Sequence, residues 1–401
     1  MDSSWIFAFA RDFLHGCLAF EERADGWVCP QRFTDNQRVV LGSCLAWHPG
    51  LYKQMATCTS GATLEFVTDA TLVDIELSFG EEPVGTGNSR KLTEQFACQE
   101  GKERQSTQVF DGVSHEVNGK HKGMLFVAMQ DGQTAQVHIA LPESKTTAPT
   151  LFDIHKLTRV RVFLPALRSC AVRTIACNGS VLKPLEKKDQ LLVLGDSLTQ
   201  GFVSGDPAKT WAHQLAHHKK LDVLNQGIGG QVFLPETLQD FSALPEFTPQ
   251  SIVVAFGINY RYEPCTAHRV SKDIHRYFSV LHALWPAIST YVLTPLWHQV
   301  GPYPTHKHSC FDQIPQLIEH AVATHSNMTL IDGTTLLDAN ISLLSDGFEH
   351  PNTAGHTQIA ERLFESMRTQ NPSYKVRISA SEKTQKPVVL PAQIEQMNFD
   401  F

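Results

Sequence analysis

Leu191-Leu192-Val193-Leu194 runs directly into Gly195-Asp196-Ser197-Leu198-Thr199-Gln200-Gly201. A short apolar run bounded by turn residues reads as a fully buried strand. A serine where such a strand ends sits at the sheet edge where α/β proteins collect their ligands. Glycines on either side of the serine let the backbone turn sharply and come close to a substrate. Ser197 is therefore a candidate nucleophile, although a Gly-Asp-Ser triplet alone also fits an ordinary turn. Partners further along the chain distinguish the two.

Three further blocks follow. Asn225-Gln226-Gly227-Ile228-Gly229-Gly230 stands behind Val223-Leu224, and Gly257-Ile258-Asn259 stands behind Ile252-Val253-Val254-Ala255-Phe256. Asp346-Gly347-Phe348-Glu349-His350-Pro351-Asn352 precedes a helix-like segment from Ala354 to Met367. A serine hydroxyl becomes an effective nucleophile when an adjacent base removes its proton, and a histidine oriented by a carboxylate is the usual arrangement. His350 is the expected base, with Asp346 behind it. The oxyanion formed in acyl transfer needs preorganised donors, which a serine N–H, a glycine N–H and an asparagine amide supply from three loops. Ser197, a glycine of the second block and Asn259 fit those roles.

In this ordered set the chain resembles the SGNH (GDSL-type) serine hydrolase and esterase family, over about residues 188–369. The resemblance implies that Gly230, the second glycine of its pair, is the donor, with Gly227 and Gly229 as alternatives. Two departures stand out. The family acid usually lies three residues before the histidine, whereas Asp346 lies four before His350, with Glu349 adjacent to the histidine. His350-Pro351-Asn352 followed by Ala354-Gly355-His356 matches the family's His-Pro-Asn stretch, so the added residue is expected to bulge within the loop. Asp346 is the expected acid, and Glu349, Asp332 or a main-chain carbonyl are the alternatives. Tyr260 stands where many relatives carry Asp, and is expected at the rim of the substrate pocket.

At 401 residues the chain exceeds the usual single-domain size, so two domains are expected. Residues 1–185 carry short alternating runs such as Val73-Asp74-Ile75-Glu76-Leu77, Val137-His138-Ile139-Ala140-Leu141 and Val160-Arg161-Val162-Phe163. Period-two alternation marks strands with one buried face. Asp111-Gly112 and Asp131-Gly132 are expected hairpin turns, and no helix of any length is expected after about the first twenty residues. An all-β sandwich or jelly roll follows, similar to the two-domain SGNH carbohydrate esterases that carry a jelly-roll domain ahead of the hydrolase.

From Leu191 strand-like runs at 191–194, 222–225, 252–256, 290–294 and 328–331 alternate with helix-length segments, including 267–284 and 311–325. Residues 186–370 are therefore expected to form a three-layer α/β sandwich with a mainly parallel sheet. The charged hinge Lys183-Pro184-Leu185-Glu186-Lys187-Lys188-Asp189 divides the two domains, and 371–401 form a C-terminal tail.

Net charge is −7 and no basic block appears, so nucleic acid and anionic membrane are not expected partners. No run approaches the ~18 apolar residues of a membrane span. The early apolar stretch from Trp5 to Ala10, flanked by Asp2 and Arg11, lacks the marks of a secretory signal. Nine cysteines without a C-x-x-C pair suit reduced thiols and a cytoplasmic setting. His213, His217 and His218 have a spacing that a metal can use, yet no nearby carboxylate or H-E-x-x-H completes a site. A solvated helix face is their expected setting, and no metal or cofactor is expected. Trp297 and His298, in a loop that follows a strand, are expected to line the substrate pocket. Trp211 is expected in the helix core.

The expected function is a serine esterase that removes a short acyl group, acetyl first among them, from a carbohydrate or related small molecule. It proceeds through an acyl-Ser197 intermediate and a water activated by His350. The alternatives are a lipase or thioesterase for longer acyl chains, and a catalytically inactive carbohydrate-binding protein.

Overall fold

The computed structural model describes residues 5–23, 25–44, 51–99, 112–125, 127–130, 133–142, 157–244, 246–301, 303–306 and 310–370. Its first half contains the strands β1 (Ile6–Phe9), β2 (Leu14–His15), β3 (Ala19–Glu22) and β4 (Val28–Gln31), then the helices α1 (Asp35–Ser43) and α2 (Leu51–Met55). β5 (Thr63–Thr68), β6 (Leu72–Phe79) and helix α3 (Val84–Gln99) follow, then β7 (Val113–Val117), β8 (Lys120–Leu125) and β9 (Ala128–Gln130). β10 (Thr134–Ala140), β11 (Thr158–Phe163), β12 (Cys170–Cys177) and β13 (Leu182–Pro184) complete it.

These strands make two antiparallel sheets. One runs β3-β4-β12-β6-β10-β9 with β1 also on β12, and the other runs β13-β5-β11-β7-β8 with β2 on β5. Alternation explains their packing. Val73, Ile75 and Leu77 of β6 and Val160 and Val162 of β11 lie fully buried in one core shared by both sheets. The residues between them face outward, so each strand contributes one apolar face.

Three helices correct the expectation of an all-β region. α1 begins with a capping box in which Thr34 Oγ1 accepts from the Gln37 N–H and Gln37 Oε1 accepts from the Thr34 N–H. α2 and α3 were hidden by weak apolar periodicity, and α3 carries two glycines in its first turn. Asp111, Asp131, Gly132 and the tail 371–401 lie outside the described residues. The β7–β8 hairpin turns through Asn118-Gly119.

The second half alternates as its sequence suggests, with β14 (Gln190–Gly195), α4 (Ser197–Gln200), α5 (Trp211–Lys219), β15 (Asp222–Gly227), β16 (Ser251–Ala255) and α6 (Ala267–Leu284). It ends with β17 (Thr290–Leu293), α7 (Ile314–Val322), β18 (Met328–Ile331) and α8 (Thr353–Gln370). The sheet order is β15-β14-β16-β17-β18 and every pairing is parallel. Both faces are covered. Leu192, Leu194, Ile252 and Val254 pack in the layer of α6 and α7, while Leu191, Val193 and Val253 pack in the layer of α5 and α8. Burial on both sides is why these strands are continuous apolar runs instead of alternating ones. Gly195 pairs with Gly227 on one side and Ala255 on the other, so three neighbouring strands end level and bring their loops together.

The two halves meet behind those loops. Arg32, fully buried, donates to the carbonyls of Met55 and Cys58 and, across the seam, to those of Asn225 and Gly227. His15 Nδ1 meets Asp222 Oδ2 at 2.7 Å, and Ser60 Oγ donates to the Gln200 carbonyl at 2.6 Å. Among the described residues, no helix is long and apolar enough to cross a membrane.

Candidate active site

Ser197 opens α4 directly after β14. Asp196 caps the helix by accepting from the Leu198 N–H at 3.1 Å, and its burial pushes the carboxyl up to about 7. This tight strand-to-helix turn presents the Ser197 hydroxyl at the carboxyl end of the sheet. Ser197 Oγ lies 2.9 Å from His350 Nε2, and His350 Nδ1 lies 2.5 Å from Asp346 Oδ2. With Nδ1 facing a carboxylate, the imidazole keeps its proton on Nδ1 and offers the Nε2 lone pair to the serine.

The added residue in the histidine loop is absorbed within a turn. Asp346 Oδ1 accepts from the backbone N–H groups of Phe348, Glu349 and His350 at 3.1, 3.0 and 3.1 Å, while Oδ2 holds the imidazole. The turn requires the left-handed backbone of Gly347, at φ +79°. A Cβ there would meet the Phe96 ring of α3 at 2.6 Å. Burial works against charge on both partners. For Asp346 it is outweighed by His350 and the backbone donors, which hold the carboxyl below its ordinary range. For His350 it is outweighed by Asp346, then Glu349 and Asp196, which raise the imidazole above its ordinary value. Phe202 stacks on the His350 ring, with centroids 5.6 Å apart, and Phe348 meets it edge-on at 6.0 Å.

The second and third blocks sit beside the serine. The Gly227 N–H donates to Asn225 Oδ1 and the Gly229 N–H to Gln200 Oε1, both at 2.8 Å, so these two donors are engaged internally. Gly230 adopts φ +80°, and its carbonyl accepts from the Tyr52 hydroxyl at 2.9 Å. Asn259 Nδ2 donates to the Gln231 carbonyl at 3.2 Å, which draws its amide to the 230–231 turn. Ser197, Gly230, Asn259, His350 and Asp346 thus gather at one edge of the sheet.

Other expected site residues lie elsewhere. Tyr260 is fully buried in the core under α6, its ring stacked on Phe233 at 6.5 Å, so it is a packing residue and not part of a pocket rim. Trp297 packs against the apolar layer of α5 and α8. His298 turns Nδ1 to the Leu296 carbonyl at 3.2 Å and sets its ring edge-on to Phe311. Neither joins the Ser197–His350–Asp346 chain. Asp332 caps its own short 3-10 helix through Thr334 and stays away from His350. Trp211 is buried in the α5 core and donates from Nε1 to the Leu198 carbonyl at 2.9 Å. His213 is buried against Phe163, a correction to the solvated face, whereas His217 and His218 are exposed.

Sequence reasoning missed a second buried cluster. Glu349 pairs with the Arg261 guanidinium and accepts from the Tyr262 hydroxyl at 3.2 Å, while its Oε1 lies 3.8 Å from His350 Nε2. A signal was present in Arg261 and Tyr262, which follow the block asparagine with polar groups no strand or helix core needs. Outside the site, His15, Glu65 and Asp222 form a buried trio whose ligand atoms all lie within 4.8 Å of one another. Arg161 Nε and Arg159 Nη2 meet Glu65 at 2.7 and 3.1 Å, and His15 meets Asp222, so the carboxylates already have cationic or N–H partners.

Residues 193–358, which include Ser197, Asn259 and His350, match the model of the GDSL-like Lipase/Acylhydrolase family. This segment is a GDSL-like lipase/acylhydrolase domain. No curated protein matches the chain in sequence. Solved structures share the fold of the GDSL-like domain together with the β-rich half before it. A salicylyl-acyltransferase from a tetracycline biosynthetic pathway is 16% identical, with 94% of this chain and 96% of that one covered at a TM-score of 0.67. A family two carbohydrate esterase from Cellvibrio japonicus is 12% identical, with 91% and 98% covered at 0.57. An acetyl xylan esterase from the rumen bacterium Butyrivibrio proteoclasticus is 13% identical, with 92% and 99% covered at 0.54. At these identities the likeness is one of fold.

Proposed function

We propose that the protein is a serine esterase that hydrolyses short acyl esters, acetyl esters first, of a carbohydrate or a related hydroxylated small molecule. The observation that carries this reading is the hydrogen-bonded chain from Ser197 Oγ through His350 to Asp346, at the edge where Gly230 and Asn259 converge. In the first step His350 Nε2 takes the Ser197 proton as Oγ attacks the ester carbonyl. The Ser197 and Gly230 N–H groups and the Asn259 amide receive the oxyanion. His350 then gives its proton to the leaving alcohol, leaving an acyl-serine. A water that loses a proton to the same nitrogen hydrolyses this intermediate, and Asp346 holds the imidazolium in both halves.

Ser197 is only 6% exposed and His350 5%, so the reacting groups are sheltered from bulk water. The carbohydrate part of the reading draws on the fold shared with proteins described as carbohydrate and acetyl xylan esterases. We also read residues 1–185 as a jelly-roll domain, 186–370 as the hydrolase domain and 371–401 as a tail. The strand orders β4-β12-β6-β10 and β5-β11-β7-β8 support the jelly roll, since each follows the pattern of its two four-stranded sheets.

Hydrolysis of 4-nitrophenyl acetate and labelling by a fluorophosphonate test the reading. Both are expected in the native chain and both are expected to vanish in Ser197→Ala, while Asn259→Ala is expected to lower turnover about a hundred- to a thousandfold. Full activity in Ser197→Ala would refute the mechanism.

A further inference from the structure

We propose that Glu349 recognises the leaving alcohol and directs the site toward esters whose alcohol carries a free hydroxyl on the carbon next to the ester-bearing one. This rests on the esterase reading above. His350 Nε2 hands its proton to the leaving oxygen, so that oxygen must come within hydrogen-bond reach of Nε2, about 3 Å. Glu349 Oε1 lies 3.8 Å from the same nitrogen. The body of the leaving group therefore passes beside a carboxylate.

That carboxylate is fixed. Its Oε2 is held by the Arg261 guanidinium and the Tyr262 hydroxyl, and Arg261 is itself set by its Nε–H to the Ile258 carbonyl at 3.2 Å. Oε1 has no hydrogen-bond donor among the described residues, and Glu349 is only 6% exposed, so little solvent reaches it. A simple alkyl leaving group would leave this oxygen both desolvated and unpaired, which is costly. A hydroxyl on the neighbouring carbon donates to it instead, and an anionic group in the same place is repelled. No proton moves in this contact. His350 protonates the ester oxygen while the second hydroxyl only donates a hydrogen bond.

Three acetate esters matched in size test the inference with the full-length protein: ethyl acetate, 2-hydroxyethyl acetate and acetoxyacetate. Each kcat/KM is divided by the ester's hydroxide-catalysed rate to remove intrinsic reactivity. The native chain is expected to favour 2-hydroxyethyl over ethyl acetate by about 10- to 100-fold, the range of a hydrogen bond to a charged acceptor, and to disfavour acetoxyacetate. In Glu349→Gln the first preference is expected to shrink to about threefold or less, and acetoxyacetate is expected to gain relative to ethyl acetate. Equal normalised rates on ethyl and 2-hydroxyethyl acetate in the native chain overturn the inference without any variant, as do unchanged ratios in a folded Glu349→Gln. Failure of the esterase reading looks different: none of the three esters is cleaved and Ser197 is not labelled by a fluorophosphonate.

Discussion

Two carboxylates bracket the His350 imidazole, Asp346 on Nδ1 at 2.5 Å and Glu349 beside Nε2 at 3.8 Å. Burial disfavours the imidazolium, yet the two anions together with Asp196 outweigh it, so His350 holds its proton to a higher pH than an ordinary histidine near 6.5. A general base acts only when neutral. Activity must therefore rise with pH through the His350 pKa, and the acid limb of kcat/KM against pH is expected to have its midpoint above 6.5. Asp346→Asn removes the largest of the raising influences and the partner that fixes the tautomer. The limb is expected to move to lower pH and turnover to fall by up to about 10⁴-fold, as at other serine–histidine–aspartate sites. A pH profile that is the same in Asp346→Asn and the native chain would mean that another group holds His350.

The loop from Asp346 to His350 shows how one element accommodates an added residue. Its turn closes on three backbone N–H groups accepted by one carboxylate oxygen, and that closure depends on the left-handed Gly347. Gly347→Ala is expected to cost about 1–2 kcal/mol from backbone strain alone, and more because the new methyl enters the Phe96 ring. Turnover is expected to drop with it. Phe96→Ala in the Gly347→Ala background should restore part of the stability by removing the clash, while the strained φ remains. Denaturant unfolding separates these contributions, and a Gly347→Ala protein of native stability and turnover would contradict the account.

The same loop marks where sequence reading ran out. Asp346 and His350 were legible because residue type and order are local facts, as were the five parallel strands, whose apolar runs reflect burial on both faces. Tyr260 misled because its position after Asn259 says nothing of the direction in which a short 3-10 helix aims its side chain, here into the α6 core. Glu349 was seen only as a rival to Asp346, since its tie to Arg261 spans 88 residues and exists only once the sheet has formed. The capping box at Thr34 and Gln37 was readable and points to α1, whereas α3 has too little apolar periodicity to stand out.

At the scale of the whole molecule, the β-rich half packs behind the segments that carry Ser197 and Gly230. Tyr52 holds the Gly230 carbonyl, Ser60 the Gln200 carbonyl, and Gln226 Nε2 donates back to the Arg32 carbonyl at 2.8 Å. Arg32 is the centre of this seam. Its guanidinium is fully enclosed, burial lowers its pKa to about 10, and its donors reach four carbonyls, two of them at the end of β15, which leads into the Gly230 turn. Arg32→Met keeps much of the side-chain volume but takes the guanidinium donors from these carbonyls, of which that of Met55 keeps the Cys58 N–H at 3.2 Å. A loss on the order of 3 kcal/mol or more is expected, at about 1–3 kcal/mol for each buried acceptor left unpaired and some relief from local rearrangement. The site should suffer beyond that loss, because the 225–230 segment would no longer be held against Ser197, and kcat in the folded protein is expected to fall about tenfold. Leu77→Ala serves as the comparison. Leu77 is fully buried in the sandwich core, away from the seam, and its truncation is expected to cost about 2–5 kcal/mol with kcat unchanged at temperatures where the protein stays folded. If both variants lower kcat equally at equal loss of stability, the seam only adds stability; if Arg32→Met alone lowers it, the β-rich half also sets the geometry of the catalytic edge.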